Sequence, residues 1–453
     1  MFWKITVRRQ KLNALLATLV FTCTACGGGN GSQTDQNTPQ SAANGGSTPA
    51  SSKLFSSNTT ITTSGNPNGV LLYNADTLFV ALSNVPLAAG GTTAGVAVYA
   101  RVNATFQLSR FVPLTDAGSS ANGLAVTPDG STLLVALEHT GLAFVRIDDL
   151  LSQSNNVTPS YLSQDTGVNP ATRAGSFQVA VTPDGRYAFV ANEYGYAYPN
   201  SPSGNVGVVS LTKGADGLVT GSVVGFIPLD GNTIPGVSIS ADGKRAYAVA
   251  EIVPAQFQNT LAGSDNPTLV SSNCIQNAPQ NPKPNGGVFV IDISHAVDPA
   301  NLNGILIKNS VVAKMAAACS PVRVAEAPNG SSLWVTARGS NEILHFDVGQ
   351  LLSNPESAFV AAVPSGGQAP VGMAFLHEDN DILITNSNRF GTDVSPNINN
   401  ENVAIFNMAS GAGSMPVQIL PTGLFPRDVS VSADDSTVAV SSYDSEVVTV
   451  FAK

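Results

Sequence analysis

Charged side chains are scarce in this 453-residue sequence, at 11% of all residues, yet several of them occupy equivalent places. Glu138, Glu193 and Glu251 each come at the end of a short apolar run, Arg338 ends another, and Arg389 follows a further run by a few residues. A carboxylate can act as a base, and a guanidinium group binds a carboxylate or a developing oxyanion through paired hydrogen bonds. If the fold gathers these places, the sequence predicts a site for a carboxylated or sugar-acid ligand.

One repeated pattern positions these charges. An apolar run, a tight polar turn, a second apolar run, a variable segment and a third apolar run recur seven times, most clearly from Gly123 and Gln178, where the turn reads Thr-Pro-Asp-Gly. Proline presets φ and glycine supplies a positive φ, so each copy begins with a β-hairpin and the turn aspartates have a structural rather than a metal-binding role. A hairpin extended by two strands is one blade. The repeats therefore predict an all-β, seven-bladed β-propeller of four-stranded blades.

The last copy ends after its third strand, so the outer strand of its blade has to come from elsewhere in the chain. An unpaired sheet edge would otherwise remain. Residues 54–63 alternate and are rich in Thr and Ile. We predict that this N-terminal strand completes the last blade and closes the ring, which makes residues 54–453 a single propeller domain.

Propeller topology sorts the loops onto two faces. Turns between first and second strands share one face, while second-to-third loops and blade-to-blade connections share the other. The second-to-third loops are long in four copies, at residues 83–94, 193–205, 252–285 and 387–401. Long loops on a rigid scaffold often bind ligands, although simple tolerance of insertions is the alternative. Tyr194, Tyr196 and Tyr198 add an amphipathic patch for carbohydrate or protein contact, or else pack under their loop.

The residue just before each innermost strand is expected to point into the mouth of the central channel. It is polar in three copies, as Gln178, Arg323 and Asp428, and Arg427 lies beside the last of them. The remaining copies have Gly69, Gly123, Gly236 and Gly372. We regard the polar residues as candidate ligand contacts. The alternative is that Arg323 or Arg427 pairs with Asp428 or a backbone carbonyl and only satisfies the hydrogen-bonding groups of the channel.

The repeats, including the run from Thr182 to Asn192, resemble the YVTN family and the related lactonase-type seven-bladed propellers over about residues 66–453. The lactonase resemblance implies a rim glutamate as base and a rim arginine that stabilises the oxyanion. Asn192-Glu193 and Asn388-Arg389 look like the corresponding elements, which makes Glu193 and Arg389 the catalytic candidates. The histidines that commonly accompany them have no counterpart here.

The N-terminus has the order of an export signal, with basic residues up to Lys11, an apolar run and small residues before Cys26. The Cys26-Gly junction resembles a bacterial lipoprotein processing site, which implies lipidation of Cys26 and an outer-membrane lipoprotein facing the periplasm or the cell surface. Cys23 stands where that family prefers Leu, so cleavage after Ala25 and a soluble periplasmic or secreted protein is the alternative. Residues 27–53 lack the apolar content to fold and are predicted to be a disordered tether.

Cys274 and Cys319 are the cysteines of the predicted propeller, in segments assigned to the same face of adjacent blades. In an exported chain we expect them to form a disulfide, with two buried free thiols as the alternative. The net charge of −10 disfavours nucleic acid as a partner. Histidine spacing predicts no metal site and no Ser-His-Asp triad.

These observations leave two functions. The first is a cell-envelope module that binds a small acidic or carbohydrate ligand, or an envelope protein, through its loop-rich face. The second is a lactonase-like hydrolase acting on a sugar-acid or similar lactone. We expect a monomer without a cofactor, which meets the membrane only through its lipid anchor.

Overall fold

Seven four-stranded antiparallel blades follow one another around a ring in this computed structural model, and two further short strands extend one of these sheets to six strands. The structure describes residues 54–114, 120–152, 156–165, 174–198, 201–272, 274, 283–377, 381–408 and 415–453. At residues 195–198 and 201–203 it describes the backbone alone. The predicted signal, lipidation site and tether at residues 1–53 lie outside these ranges. The all-β, seven-bladed propeller predicted from the repeats is confirmed.

The strands follow the predicted order from the channel outwards. After β1 (Ser57–Thr62), blade 1 contains β2 (Asn66–Asn74), β3 (Thr77–Pro86), β4 (Thr92–Val102) and β5 (Thr105–Leu114). Blade 2 contains β6 (Ala121–Val126), β7 (Thr132–Leu137), β8 (Gly141–Arg146) and β9 (Ser160–Ser163). Blade 3 contains β10 (Ser176–Val181), β11 (Tyr187–Tyr198), β12 (Ser201–Lys213) and β13 (Val219–Pro228).

The other blades repeat this plan. Blade 4 contains β14 (Gly236–Ile239), β15 (Arg245–Ala250), β16 (Asn285–Asp292) and β19 (Val311–Cys319), with the short β17 (Leu302–Asn303) and β18 (Leu306–Ile307) before its last strand. Blade 5 contains β20 (Pro321–Glu326), β21 (Ser332–Ala337), β22 (Glu342–Asp347) and β23 (Phe359–Pro364). Blade 6 contains β24 (Pro370–Phe375), β25 (Asp381–Ser387), β26 (Glu401–Asn407) and β27 (Gln418–Pro421), and blade 7 contains β28 (Pro426–Val431), β29 (Thr437–Ser442) and β30 (Val447–Ala452).

Short helices occupy some connections. They are α1 (Ile147–Leu151), α2 (Ala255–Gln258), α3 (Ile293–Ala296) and α4 (Val348–Ser353), with 3₁₀ turns at Pro299–Asn301 and Pro355–Ser357. Within the described ranges, no helix has the length and apolar character needed to cross a membrane.

The core lies between blades, because the second and third strands are buried on both faces. All five residues from Leu133 to Leu137 are fully buried, for example. One apolar cluster joins Phe79 of blade 1 to Val135 of blade 2, and comparable clusters bridge each later pair of neighbours and blade 7 to blade 1. Burial of this kind contributes about 25 cal/mol for each Å² of apolar surface removed from water, so adjacent blades stabilise one another.

The ring closes as the sequence predicts. Strand β1 pairs antiparallel with β30, from Ser57 opposite Ala452 to Thr62 opposite Val447. Phe55, just ahead of β1, is 3% exposed in the core between blades 6 and 7, and its backbone exchanges two hydrogen bonds with the side chain of Gln418. The first and last strands of the propeller therefore complete one blade.

A β-bulge interrupts six of the seven inner strands near the mouth end, where the pairing register with the second strand shifts. Hydroxyl groups on the second strands accept the N–H groups at these bulges. Arg323 N donates to Thr336 Oγ1 at 3.0 Å, and Asp428 N donates to Ser441 Oγ at 3.0 Å. A bulge re-aims the side chains around it, which matters for the residues that reach the channel.

Two of the predicted long loops are largely strand. In blade 1, β3 and β4 pair up to Pro86 opposite Thr92, with Gly90 and Gly91 at positive φ in the turn. In blade 3, β11 and β12 pair up to Tyr198 opposite Ser201, so the segment at 193–205 is also mostly a hairpin. The interpretation of residues 83–94 and 193–205 as loops was therefore wrong, because both segments continue the sheet beyond the propeller body.

The segment between β15 and β16 is pinned by the Cys274–Cys319 disulfide, whose Cα atoms are 5.2 Å apart. Cys319 ends β19 of the same blade. In addition, Phe226 N of β13 donates to Ile305 O at 2.8 Å, so the small β17–β18 hairpin of blade 4 adds to the outer edge of blade 3. The sequence did not indicate this link between blades 3 and 4.

Candidate functional site

A cavity of about 250 Å³ opens on the ring axis, on the face that carries the second-to-third loops. We call it the central mouth. Every blade contributes to its lining, and most of the charged candidates lie in it. Its lining residues are Asn68, Ser120, Asn122, Phe177, Pro235, Val322, Val371, Phe425 and Tyr443, with the charged Glu138, Glu193, Glu251, Arg338, Arg389 and Arg427.

The inner strands line the mouth through a different residue from the one the sequence suggested. In every blade it is the residue immediately before the predicted one that reaches the mouth. These residues are Asn68, Asn122, Phe177, Pro235, Val322, Val371 and Arg427. A shift of one residue along a strand reverses the direction of a side chain, which explains the error. Arg427 is thus the candidate of this region that lines the mouth.

Glycine at the predicted position has a packing role, because neighbouring inner strands touch there. A Cβ on Gly69 would lie 2.2 Å from Asn122 O, and one on Gly372 would lie 2.8 Å from Arg427 O. Both distances are too short for an unmoved neighbour. These glycines bring adjacent blades together around the channel rather than presenting backbone to a ligand.

Gln178, Arg323 and Asp428 tie their blades to a neighbour at the same level. Gln178 Oε1 accepts from Val237 N at 3.0 Å, and Asp428 Oδ2 accepts from Val70 N at 3.1 Å. Arg323 Nη1 donates to Pro235 O at 2.8 Å and to Val322 O at 3.1 Å, which is the carbonyl-satisfying alternative. The three residues line a smaller void of about 40 Å³ rather than the mouth. These three residues therefore join neighbouring blades and do not line the mouth.

Three glutamates enter the mouth from consecutive blades. Glu138 and Glu251 directly follow the second strands of blades 2 and 4, and Glu193 lies within β11 of blade 3, where the pairing with β12 shifts register. Burial, followed by the charges of Glu251 and Glu138, raises the pKa of Glu193 to about 7. The arginines across the mouth oppose this shift without cancelling it. Near neutral pH, Glu193 therefore exchanges a proton readily, as a base or a hydrogen-bond donor would.

Three arginines enter from the next blades. Arg338 of blade 5 forms an ion pair with Glu251, with both side chains largely buried. The exposed Arg389 lies 6.0 Å from the ring centroid of Phe425, and Arg427 lies 5.3 to 5.5 Å from the rings of Phe177, Phe425 and Tyr443. Among the described residues, neither Arg389 nor Arg427 has a hydrogen-bond partner for its guanidinium group. The positive charge of Arg338 lowers the pKa of Arg389 to about 10, and burial followed by the charge of Arg323 lowers the pKa of Arg427 to about 10.

Tyr194 does not line the mouth. It is 38% exposed beside Glu193, whose charge holds the pKa of the tyrosine hydroxyl above its usual value. The side chains of Tyr196 and Tyr198 lie outside the described residues. Over the ranges that are described, no group of three or more His, Cys, Asp or Glu residues is arranged to hold a metal ion.

Sequence reasoning missed the aromatic and amide part of the mouth. Phe177, Phe425 and Tyr443 surround the Arg427 guanidinium, while Asn68 and Asn122 donate to the backbone of the next blade. A signal was present for the amides, since Asn precedes Gly in the first two repeats. The aromatic residues come from three different repeat positions and share no pattern.

Comparison with known proteins gives a fold and no family. No family model matches the sequence, and no curated protein matches it. Solved structures do match, in 1151 chains. One is a chain in "Crystal Structure of Mitotic Checkpoint Complex", with a TM-score of 0.54 and 12% sequence identity, covering 87% of this chain and 91% of that one. At that identity the similarity shows the fold alone. A propeller is consistent with an interaction module, and the ligand has to be argued from the mouth itself.

Proposed function

We propose that this protein is a ligand-binding module whose central mouth takes a small acidic ligand, such as a sugar acid or an acidic group on an envelope protein. The observation that carries the proposal is the pair of guanidinium groups, Arg389 and Arg427, which face the mouth without a hydrogen-bond partner among the described residues. Contact with an aromatic ring contributes about 0.5 to 2 kcal/mol, whereas hydrogen bonds to a charged group contribute about 1.5 to 3 kcal/mol each. A carboxylate in the mouth therefore improves on the interactions these arginines already make.

The size of the mouth limits the ligand. Pockets for drug-sized molecules have volumes of about 300 to 1,000 Å³, so a mouth of about 250 Å³ suits a single sugar acid or a similar small carboxylate. The surrounding aromatic faces of Phe177 and Phe425 suit the apolar side of such a ring.

The melting temperature of the full-length protein, measured with gluconate and with glucose as an uncharged control of similar size, tests this function. Gluconate should raise the melting temperature, since a ligand at 100 times its Kd stabilises by about 2.7 kcal/mol, and glucose should not. Arg389→Gln should weaken the effect of gluconate, because it removes an exposed guanidinium from the mouth. Arg186→Gln is the control, as Arg186 pairs with Asp184 at a first-to-second strand turn on the opposite face. Failure of gluconate, glucuronate and other small carboxylates to bind would refute the proposal.

A second candidate function, lactone hydrolysis, is favoured by the pKa of Glu193 near 7 and by the presence of Arg389 in the same mouth. In such a reaction, Glu193 takes a proton from water, and the resulting hydroxide adds to the lactone carbonyl while Arg389 stabilises the oxyanion. The ring C–O bond then breaks, and its oxygen takes up the proton that Glu193 removed from water, which regenerates the Glu193 carboxylate. Turnover of gluconolactone above background that is lost in Glu193→Gln would favour this function, and an inert parent would exclude gluconolactone as a substrate.

We further propose that the protein is exported and anchored through lipid on Cys26, and that it acts as a monomer. The Cys274–Cys319 disulfide supports an oxidising compartment. Cys26→Ser should move the protein from the membrane fraction to the soluble periplasmic or extracellular fraction. An unchanged membrane fraction would rule out the lipid anchor.

A further inference from the structure

The charges of the mouth are separated by sign around the ring. Going from blade 2 to blade 7, three acidic residues are followed by three basic ones, with one charged residue from each blade. The order is Glu138, Glu193, Glu251, Arg338, Arg389 and Arg427. The mouth thus has an acidic sector over blades 2–4 and a basic sector over blades 5–7.

Glu251 and Arg338 satisfy one another where the two sectors meet. Apart from this pair, Glu193 makes no ion pair in the described structure. The carboxylates of Glu251 and Glu138 are close enough to raise its pKa. Arg389 and Arg427 likewise contact aromatic rings rather than carboxylates. Each sector therefore retains charge that the protein itself does not neutralise.

A purely anionic ligand fits only half of this arrangement. In a cavity of about 250 Å³, a ligand large enough to fill the mouth reaches both sectors, so a second negative group would face Glu193 and its acidic neighbours. Like charges in a partly desolvated site repel one another, whereas a positive group there would be attracted. The complementary ligand has a negative end and a positive end.

We propose that the ligand of the central mouth is an amino-carboxylate zwitterion, with its carboxylate on Arg389 and Arg427 and its ammonium group on the acidic sector at Glu193. This inference rests on the proposed function and narrows the acidic ligand to one that also carries a cation. The acidic sector selects against acids without an amine, and the basic sector selects against amines without an acid.

Binding of a matched ligand series to the full-length protein tests this assignment. Glycine, β-alanine and γ-aminobutyrate vary the spacing between the two charges, and diglycine presents the same groups on a peptide. For the tightest binder, the N-acetyl derivative removes the ammonium charge and the amide derivative removes the carboxylate charge. Titration calorimetry should show that the zwitterion binds about tenfold more tightly, or better, than either derivative, because each loses charge-assisted hydrogen bonds.

Two variants assign the ends of the ligand. Glu193→Gln should reduce the preference for the zwitterion over its N-acetyl derivative, and Arg389→Gln should reduce the preference over its amide. Glu446→Gln is the control, as Glu446 is exposed beside β30 on the same face and does not line the mouth. The control should preserve both preferences.

The outcomes separate the inference from the function on which it rests. If an N-acetyl derivative or gluconate binds as tightly as every zwitterion, the acidic sector plays no part in recognition and the inference is wrong, while carboxylate binding stands. If no carboxylate binds, with or without an amine, both proposals fall. Tight binding of the zwitterion that survives both variants would place its site outside the mouth and would also overturn the inference.

Discussion

Replacing Glu193 by glutamine should stabilise the protein in alkaline solution. The carboxyl group lies in the mouth, where burial and the neighbouring Glu251 and Glu138 raise its pKa from 4.5 to about 7. Between pH 4.5 and about pH 7, Glu193 of the folded protein holds a proton that the same residue has released in the unfolded chain. Stability therefore falls as pH rises through this window, and the whole loss is present above pH 7.

The size of the effect follows from the pKa. Each pKa unit corresponds to about 1.4 kcal/mol, so ionising Glu193 in the folded mouth costs about 3 kcal/mol at pH 8. Glutamine has nearly the same shape and does not ionise. Glu193→Gln should consequently gain up to about 3 kcal/mol of unfolding free energy over the parent at pH 8, relative to their difference at pH 5.

Urea unfolding at both pH values, without ligand, measures this difference. Glu446→Gln, which removes an exposed carboxylate from the same face, reports the general effect of a change in net charge. An advantage of Glu193→Gln that is the same at pH 5 and pH 8, or a variant less stable than the parent at pH 8, would refute the electrostatic reasoning.

Three further predictions concern the scaffold. Deleting residues 54–63 should destabilise the protein by more than about 3 kcal/mol and promote aggregation, because it removes the buried Phe55 and bares the edge of β30, whereas deleting residues 40–49 should not. Denaturation and light scattering would measure both effects, and equal stability of the two deletions would contradict the pairing of β1. Replacing Cys274 and Cys319 together by serine should cost about 4 kcal/mol, since the disulfide spans 45 residues, and an unchanged denaturation midpoint would contradict this. Gly69→Ala should lower the melting temperature by several degrees because its Cβ would meet Asn122 O at 2.2 Å, and a fully stable variant would show that adjacent inner strands can separate.

The fold was predictable because each repeat contains residues that determine its turns and strands locally. The Thr-Pro-Asp-Gly turn is an example, since Thr127 Oγ1 donates to Asp129 Oδ1 at 2.6 Å and Gly130 has a φ of +70°. The acidic side of the mouth was predictable for a similar reason. Glu138 and Glu251 directly follow apolar runs, and those runs end where the second strands end.

Features that depend on contacts between repeats were not predictable in this way. The inner-strand residues were displaced by one in every blade, and in six of the seven blades a bulge, stabilised in some by a hydroxyl group on the next strand, interrupts the alternation that a sequence pattern assumes. The Gly90-Gly91 pair lies in the turn between β3 and β4, where both residues have a positive φ, and the segment around it was interpreted as a loop. The aromatic rings around Arg427 come from different repeat positions and meet only when the ring has closed.

The pairing of β1 with β30 also has a consequence for the order of folding. Strand β1 precedes every other described strand in the chain, and β30 follows them all, so Ser57 has to find a partner almost 400 residues away, at Ala452. Contacts of such long sequence separation form late and slowly. Strand β1 is synthesised before the rest of the described strands and has no partner until blade 7 exists, which makes ring closure the expected final step of folding.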